Sequence, residues 1–199
     1  MTVLTASSWP SNAELIADLH TLGYIGDKDF VFDATYGLGV WWKVYRPRNL
    51  LTNDLSSEYE DVDYHYDFRR LPKSWVSSFD VVAYDPPYKL NGTPSESDER
   101  YGVHLPTTWQ ARNKMILDGI TGCAMPLRKK GILLVKCMDQ VARNAKRWQT
   151  YDCVEHAKTQ GLTLVDQLVL LGSPREQPGN RPQRHSHSNF STLLVFKKA

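Results

Sequence analysis

The residues of this chain best suited to chemistry stand together at Asp85-Pro86-Pro87-Tyr88. Two consecutive prolines fix two φ angles and remove two backbone donors, so the carbonyls around them are left to accept hydrogen bonds from something else. An exocyclic amine on an aromatic base fits such a site. Its lone pair is delocalised into the ring, and it is a poor nucleophile until its N–H groups are held by acceptors. The Asp85 carboxylate and the Pro86 carbonyl can hold those two hydrogens, which orients the nitrogen and offsets the positive charge that develops as it attacks. Tyr88 offers a flat face on which an extruded base can stack. The plain alternative, a proline turn with Tyr88 filling a gap, weakens once the residues upstream are considered.

Upstream, Asp33-Ala34-Thr35-Tyr36-Gly37-Leu38-Gly39 places an acid before a glycine-containing turn. Glycines let backbone come close to a ligand. The spacing is not the GxGxxG of a dinucleotide site, and no GK[ST] follows to cradle phosphates, so neither of those cofactor classes is favoured. Asp54 lies 21 residues after Asp33, where a strand-end carboxylate can accept from ribose hydroxyls. Asp67-Phe68 comes next, a carboxylate beside an aromatic, suited to an adenine amino group and its ring. Each signal is weak alone; the order of the three is more specific.

These residues must be positioned by elements, and the apolar pattern indicates an α/β sheet protein. Strands are predicted over residues 30–34, 50–54, 63–66, 80–85, 131–137, 164–172 and 190–197, the third being the weakest. Helices are predicted over 11–22, 38–45, 69–76, 107–125 and 148–160, with Ser11 and Thr107 as N-caps. The segment 173–189 leaves no room for a crossover helix, so the last two strands should pair antiparallel and the helix-linked ones parallel. The expected fold class is α/β: a mostly parallel seven-stranded sheet with an antiparallel last strand, the Rossmann-like class I methyltransferase sandwich. The 199 residues fit one domain, since domains commonly span roughly 100–200 residues.

On these motifs the chain resembles the N6-adenine and N4-cytosine DNA methyltransferases, and looks most like the small stand-alone DNA methylases of bacteriophages and actinobacteria. The resemblance covers nearly the whole chain. It implies S-adenosyl-L-methionine as cofactor, held by Asp33, Ala34, Thr35, Gly37 and Gly39, with Asp54 on the ribose and Asp67 and Phe68 on the adenine. It implies Asp85, Pro86, Pro87 and Tyr88 as the catalytic motif. The family's amino-terminal motif is usually a Pro-Phe pair; Trp9-Pro10-Ser11 stands in its place here, which carries over Pro10 alone. The large target-recognition region of sequence-specific members is not visible.

The partner implied is DNA, with RNA possible, bound by a monomer or homodimer. Net charge is only +2, but it is sorted along the chain: residues 54–67 hold six acids, and residues 128–147 hold seven Lys or Arg against Asp139 alone. Loops 89–110, 139–149 and 173–189 follow strands at the carboxyl edge, where open α/β sheets bind ligands. Lys89, Lys136, Arg143, Arg175, Arg181 and Arg184 are the candidate phosphate contacts, and such contacts give affinity without sequence information. Tyr101 and Trp109 can stack on bases. No metal is expected, because His185 and His187 lack a third ligand.

No run reaches the roughly 18 apolar residues of a membrane span, and the amino terminus lacks a signal-peptide pattern, so a cytoplasmic protein is expected. Cys123, Cys137 and Cys153 form no CxxC pair and suggest no disulfide framework. Other readings stay open: cytosine N4, a base amine in structured RNA, a degenerate fold that only binds nucleic acid, and, further off, carbon-5 methylation through Cys137 or a nicotinamide-dependent dehydrogenase.

Overall fold

Strand-by-strand alternation of buried side chains sets the architecture. The computed structural model describes residues 4–5, 9–90, 108–172 and 183–199. Its strands are β1 (Phe30–Asp33), β2 (Asn49–Thr52), β3 (Phe79–Tyr84), β4 (Leu127–Cys137), β5 (Gln140–Ala142), β6 (Ala145–Arg147), β7 (Leu162–Leu171) and β8 (Phe190–Lys198). Six of them form one sheet in the order β2-β1-β3-β4-β8-β7, and β5 and β6 form a separate hairpin. β1 lies parallel between β2 and β3, and β3 is parallel to β4. β8 runs antiparallel to β4 and β7, as the missing crossover helix requires.

Three helices are present among the described residues: α1 (Asn12–Thr21), α2 (Trp109–Ala124) and α3 (Gln149–Thr159). Ser11 caps α1 by accepting from the Ala13 amide at 3.2 Å. Thr108 caps α2 through the Ala111 amide; Thr107, the expected cap, lies outside the described residues. Helices cover both faces of the sheet, and the strands show it at period two. Phe32, Val82, Tyr84, Leu133, Val135 and Phe196 bury against Ile116, Ile120, Cys123 and Cys153 of α2 and α3. On the other face Val31, Val81, Ala83, Leu134 and Val195 bury against Leu15, Ile16 and Leu19 of α1.

Three expectations are corrected. Segment 63–66 is no strand: it makes one parallel bridge, Asn53 to Tyr64, because the Asp63 side chain takes the Thr52 amide and hydroxyl, both at 2.8 Å, in place of a backbone ladder. The sheet therefore has six strands rather than seven. The helix expected at 38–45 is reduced to a 3-10 turn, Val40–Trp42, entered through Gly39 at φ +63° with no side-chain cap. Its Val-Trp-Trp-Lys-Val-Tyr run is poor in helix formers. The helix at 69–76 is likewise a 3-10 turn, Lys73–Trp75, beginning after Pro72, which disfavours helical backbone at Leu71. Among the described residues no helix is long and apolar enough to cross a membrane.

Candidate functional site

Three acids converge at the carboxyl edge of three adjacent parallel strands. Asp33 ends β1, Asp54 follows β2 and Asp85 follows β3. Asp33 is 4% exposed; its Oδ1 accepts from the Thr35 amide at 2.9 Å and its Oδ2 from Trp42 Nε1 at 2.6 Å. Burial pushes its carboxyl up to about 7 against those two donors. Asp54 accepts from the Gly37 and Ser56 amides, both at 2.9 Å, and burial raises it as well. The Asp54 carboxylate therefore braces the glycine turn from below. Gly39 has a positive φ that disfavours any side chain, and a Cβ there would meet the Tyr36 hydroxyl at 2.5 Å, so that ring would have to shift.

Two adjacent indoles tie this turn to the tetrapeptide. Trp42 holds Asp33, and Trp41 Nε1 donates to Asp85 Oδ2 at 2.9 Å. Thr35 closes the circuit, its Oγ1 accepting from the Asp85 amide at 2.8 Å. Asp33, Thr35, Gly37, Gly39, Asp54 and Asp85 thus form one connected constellation. Trp41 and Trp42 escaped the sequence reading; the visible signal was an aromatic pair directly after a glycine turn.

The acceptors of the tetrapeptide divide into used and unused. Arg112 Nη1 donates to the Pro87 carbonyl at 3.2 Å. Gln140 and Gln149 both donate through Nε2 to the Tyr88 carbonyl, at 2.5 and 3.2 Å. Among the described residues, no hydrogen bond reaches Asp85 Oδ1 or the Pro86 carbonyl. Pro86 and Pro87 are buried, and Tyr88 is half-buried against the core. Arg112, Gln140 and Gln149 were not foreseen in this role, since polar residues inside a helix or hairpin carry no sequence mark of a carbonyl partner.

Lys136 is corrected. It is 2% exposed and its Nζ donates to Asn12 Oδ1, so it is not available to a phosphate. In the parallel register Tyr84 pairs with Val135, which sets Asp85 and Lys136 side by side on the α1 face. Burial lowers the Lys136 ammonium while Asp85 supports it. Burial raises the Asp85 carboxyl while Lys136 and Trp41 oppose the rise.

Other expected residues are placed as follows. Asp67 is engaged by the Arg69 backbone amide, Nε and Nη2; burial raises its carboxyl, but the Arg69 contacts outweigh this and lower it. Phe68 is a correction: at 3% exposure it packs edge-on against Tyr84, 5.0 Å between centroids, with no open ring face. Pro10 is exposed and Ala34 buried. Lys89, Arg143 and Arg184 are exposed. Arg175, Arg181 and Tyr101 lie outside the described residues. Among the described residues no three His, Cys, Asp or Glu side chains group so as to hold a metal.

No family model and no curated protein matches this sequence. Solved structures do. N-methyltransferase NodS from Bradyrhizobium japonicum, solved with S-adenosyl-L-homocysteine, aligns over 94% of this chain and 85% of its own, at 12% identity and TM-score 0.57. A candidate sarcosine dimethylglycine methyltransferase from Galdieria sulphuraria gives the same coverage and TM-score at 11% identity. The fold is that of the Rossmann-like methyltransferases. A candidate DNA modification methylase from Thermus thermophilus aligns over 66% of this chain at 14% identity and TM-score 0.42, and the chain spans about half, 48%, of its length.

Proposed function

We propose that this chain is an S-adenosyl-L-methionine-dependent methyltransferase acting on an exocyclic amine of a nucleic-acid base, adenine N6 in DNA by preference. One observation carries the reading: of the acceptors in Asp85-Pro86-Pro87-Tyr88, Asp85 Oδ1 and the Pro86 carbonyl lack a partner among the described residues, and an amine has two N–H groups to place. A buried-edge carbonyl left open is costly unless a ligand satisfies it.

The cofactor fits the residues present. A backbone bend at Gly37 and Gly39, both at positive φ and braced by Asp54, with Asp33 beside it, offers close backbone approach together with acceptors for hydroxyl donors. When bound, S-adenosyl-L-methionine supplies an electrophilic methyl group. Asp33, Asp54 and the turn would hold it.

The remaining work belongs to the chain. Asp85, steadied by Trp41 and with Lys136 opposing the rise that burial imposes on its carboxyl, and the Pro86 carbonyl accept from the amine and fix its nitrogen. Both acceptors are preorganised, so they offset the charge developing on nitrogen without reorientation. Cys137, the alternative nucleophile for carbon-5 chemistry, is fully buried on the face opposite Lys136 and Asp85. That placement favours direct transfer to nitrogen.

The test is Asp85→Ala in the full chain, with labelled cofactor, DNA and RNA as methyl acceptors, and chromatography of the product nucleosides. Turnover should fall about a hundred- to a thousandfold, the cost of losing one preorganised group aimed at developing charge, while calorimetry still registers cofactor binding. Persistent activity in the variant, or a label on carbon-5, defeats the proposal.

A further inference from the structure

A second group of side chains lies beside the tetrapeptide and is not used by the chemistry above. Trp148 caps α3 and Tyr151 sits in its first turn; they are 58% and 64% exposed. Both rings are open to solvent and stand three residues apart in sequence, Trp148 just before the first helical residue and Tyr151 inside the first turn. Lys146 lies over the Trp148 ring, 5.6 Å from its centroid, and its amine also donates to the Ser186 carbonyl and Ser188 Oγ at 3.1 and 3.0 Å. Between Lys146 and Trp148 in sequence, the Arg147 guanidinium lies 3.9 Å from the centroid of Trp109 at the start of α2.

The group is anchored to the catalytic edge. Gln140, which opens the hairpin, and Gln149, next to Trp148, both donate to the Tyr88 carbonyl. Arg112, on the same helix as Trp109, holds the Pro87 carbonyl. The hairpin tip carries exposed Arg143 at φ +50°, and Lys146 draws in the segment bearing exposed Arg184. The nearest acids are engaged locally: Asp139 accepts from the Thr150 amide and Asp152 from Asn113 Nδ2. Cations outnumber free acids here, and flat faces stand between them.

We infer that Trp148 and Tyr151 form a stacking platform for unpaired bases flanking the target, with Arg143 on the phosphates, so that this protein binds single-stranded DNA in preference to duplex. The inference rests on the nucleic-acid reading above. Stacking suits single strands because every base has an open π-face there, and it requires no sequence information. A duplex hides those faces.

The test measures anisotropy of a labelled 20-mer of thymidines and of a mixed-sequence duplex of equal length, across salt concentrations, with the full chain and without cofactor. Trp148→Ala and Tyr151→Ala should each weaken single-strand affinity roughly five- to a hundredfold, the range of one lost base stack, and leave the salt slope alone. Arg143→Gln should instead lower that slope by about 0.7. Tyr151→Ala leaves the Lys146 contact in place, and melting curves confirm that each variant is folded. Unchanged single-strand affinity in a folded double variant, or equal losses on duplex and single strand, overturns the platform while the methyl-transfer reading stands. A wild-type protein that binds neither nucleic acid overturns both.

Discussion

Trp41 Nε1 donates to Asp85 Oδ2 at 2.9 Å, and so a residue of the cofactor-side turn bears on the charge of the proposed catalytic carboxylate. Burial pushes the Asp85 carboxyl up; the Trp41 bond and Lys136 pull it down. Turnover needs the ionised form and is lost as pH falls through the folded value. Trp41→Phe keeps the ring volume and removes the donor, so the acid limb of the pH–rate profile should move to higher pH. A charge-assisted hydrogen bond contributes about 1.5–3 kcal/mol, and Asp85 is partly exposed, so kcat at mildly acidic pH should drop roughly tenfold. An unmoved acid limb would show that Asp85 does not govern the rate.

Lys136 separates two roles in one variant. A phosphate contact would show in the salt dependence of DNA binding, which falls by about 0.9 per neutralised phosphate on duplex. A buried neighbour of Asp85 would show in the pH profile. Lys136→Met should leave the salt slope unchanged and move the acid limb upward, in the same sense as Trp41→Phe, while Lys136→Arg restores part of the profile. Stability should fall by about 1–2 kcal/mol because Asn12 loses its partner. Parallel salt titrations and pH–rate profiles on one preparation read both.

Asp33 makes stability fall as pH rises. Its folded carboxyl sits at about 7, above the unfolded 3.8, so between those values the native state holds the extra proton. The stabilisation is complete below pH 4, declines across 4 to 7 and is gone above. By linkage the span corresponds to a few kcal/mol. Urea unfolding of the wild type should therefore show midpoints decreasing from pH 4.5 to 7.5 relative to Asp33→Asn, whose amide does not titrate. A variant with the same slope would place the titration elsewhere.

Most strands and the antiparallel end were legible because apolar patterning and connection length are local properties of sequence, whereas the order β2-β1-β3-β4-β8-β7 was not. Asp33, the glycine turn, Asp54 and Asp85 were legible for the same reason, each standing at a strand's end. What stayed hidden depends on contacts across the chain. Nothing near Lys136 discloses that Asn12, 124 residues away, accepts from it, so a strand-end lysine read as a phosphate ligand. Phe68 read as a stacking face, yet two glycines of α2, Gly119 and Gly122, open a groove that draws its segment into the core. The 38–45 helix failed because Trp41 and Trp42 serve Asp85 and Asp33, and those bonds favour a tight turn over helical continuation.

The α2 groove itself gives a prediction in which stability and activity part. At Gly122 a Cβ would run into the Phe68 carbonyl and meet the Arg69 Cα at 3.0 Å. Backbone cannot rotate aside, so Gly122→Ala should cost about 2–3 kcal/mol, within the range of core overpacking, and lower Tm by roughly 5–10 °C for a chain of this size. At Gly119 the Cβ would instead strike the Tyr84 hydroxyl and, at 2.9 Å, Phe68 Cε2. Tyr84 precedes Asp85 directly, and its ring is wedged between β3 and α2. Gly119→Ala should therefore displace the end of β3 and lower kcat by ten- to a hundredfold, as an error of about 1 Å in a reacting group does. Gly122→Ala, assayed well below its melting point, should keep kcat within about threefold of wild type, a margin of under 1 kcal/mol in the barrier. Scanning calorimetry together with methyl-transfer rates on the two variants reads the difference, and equal kcat losses would mean that Phe68, not Tyr84, transmits the strain to the site.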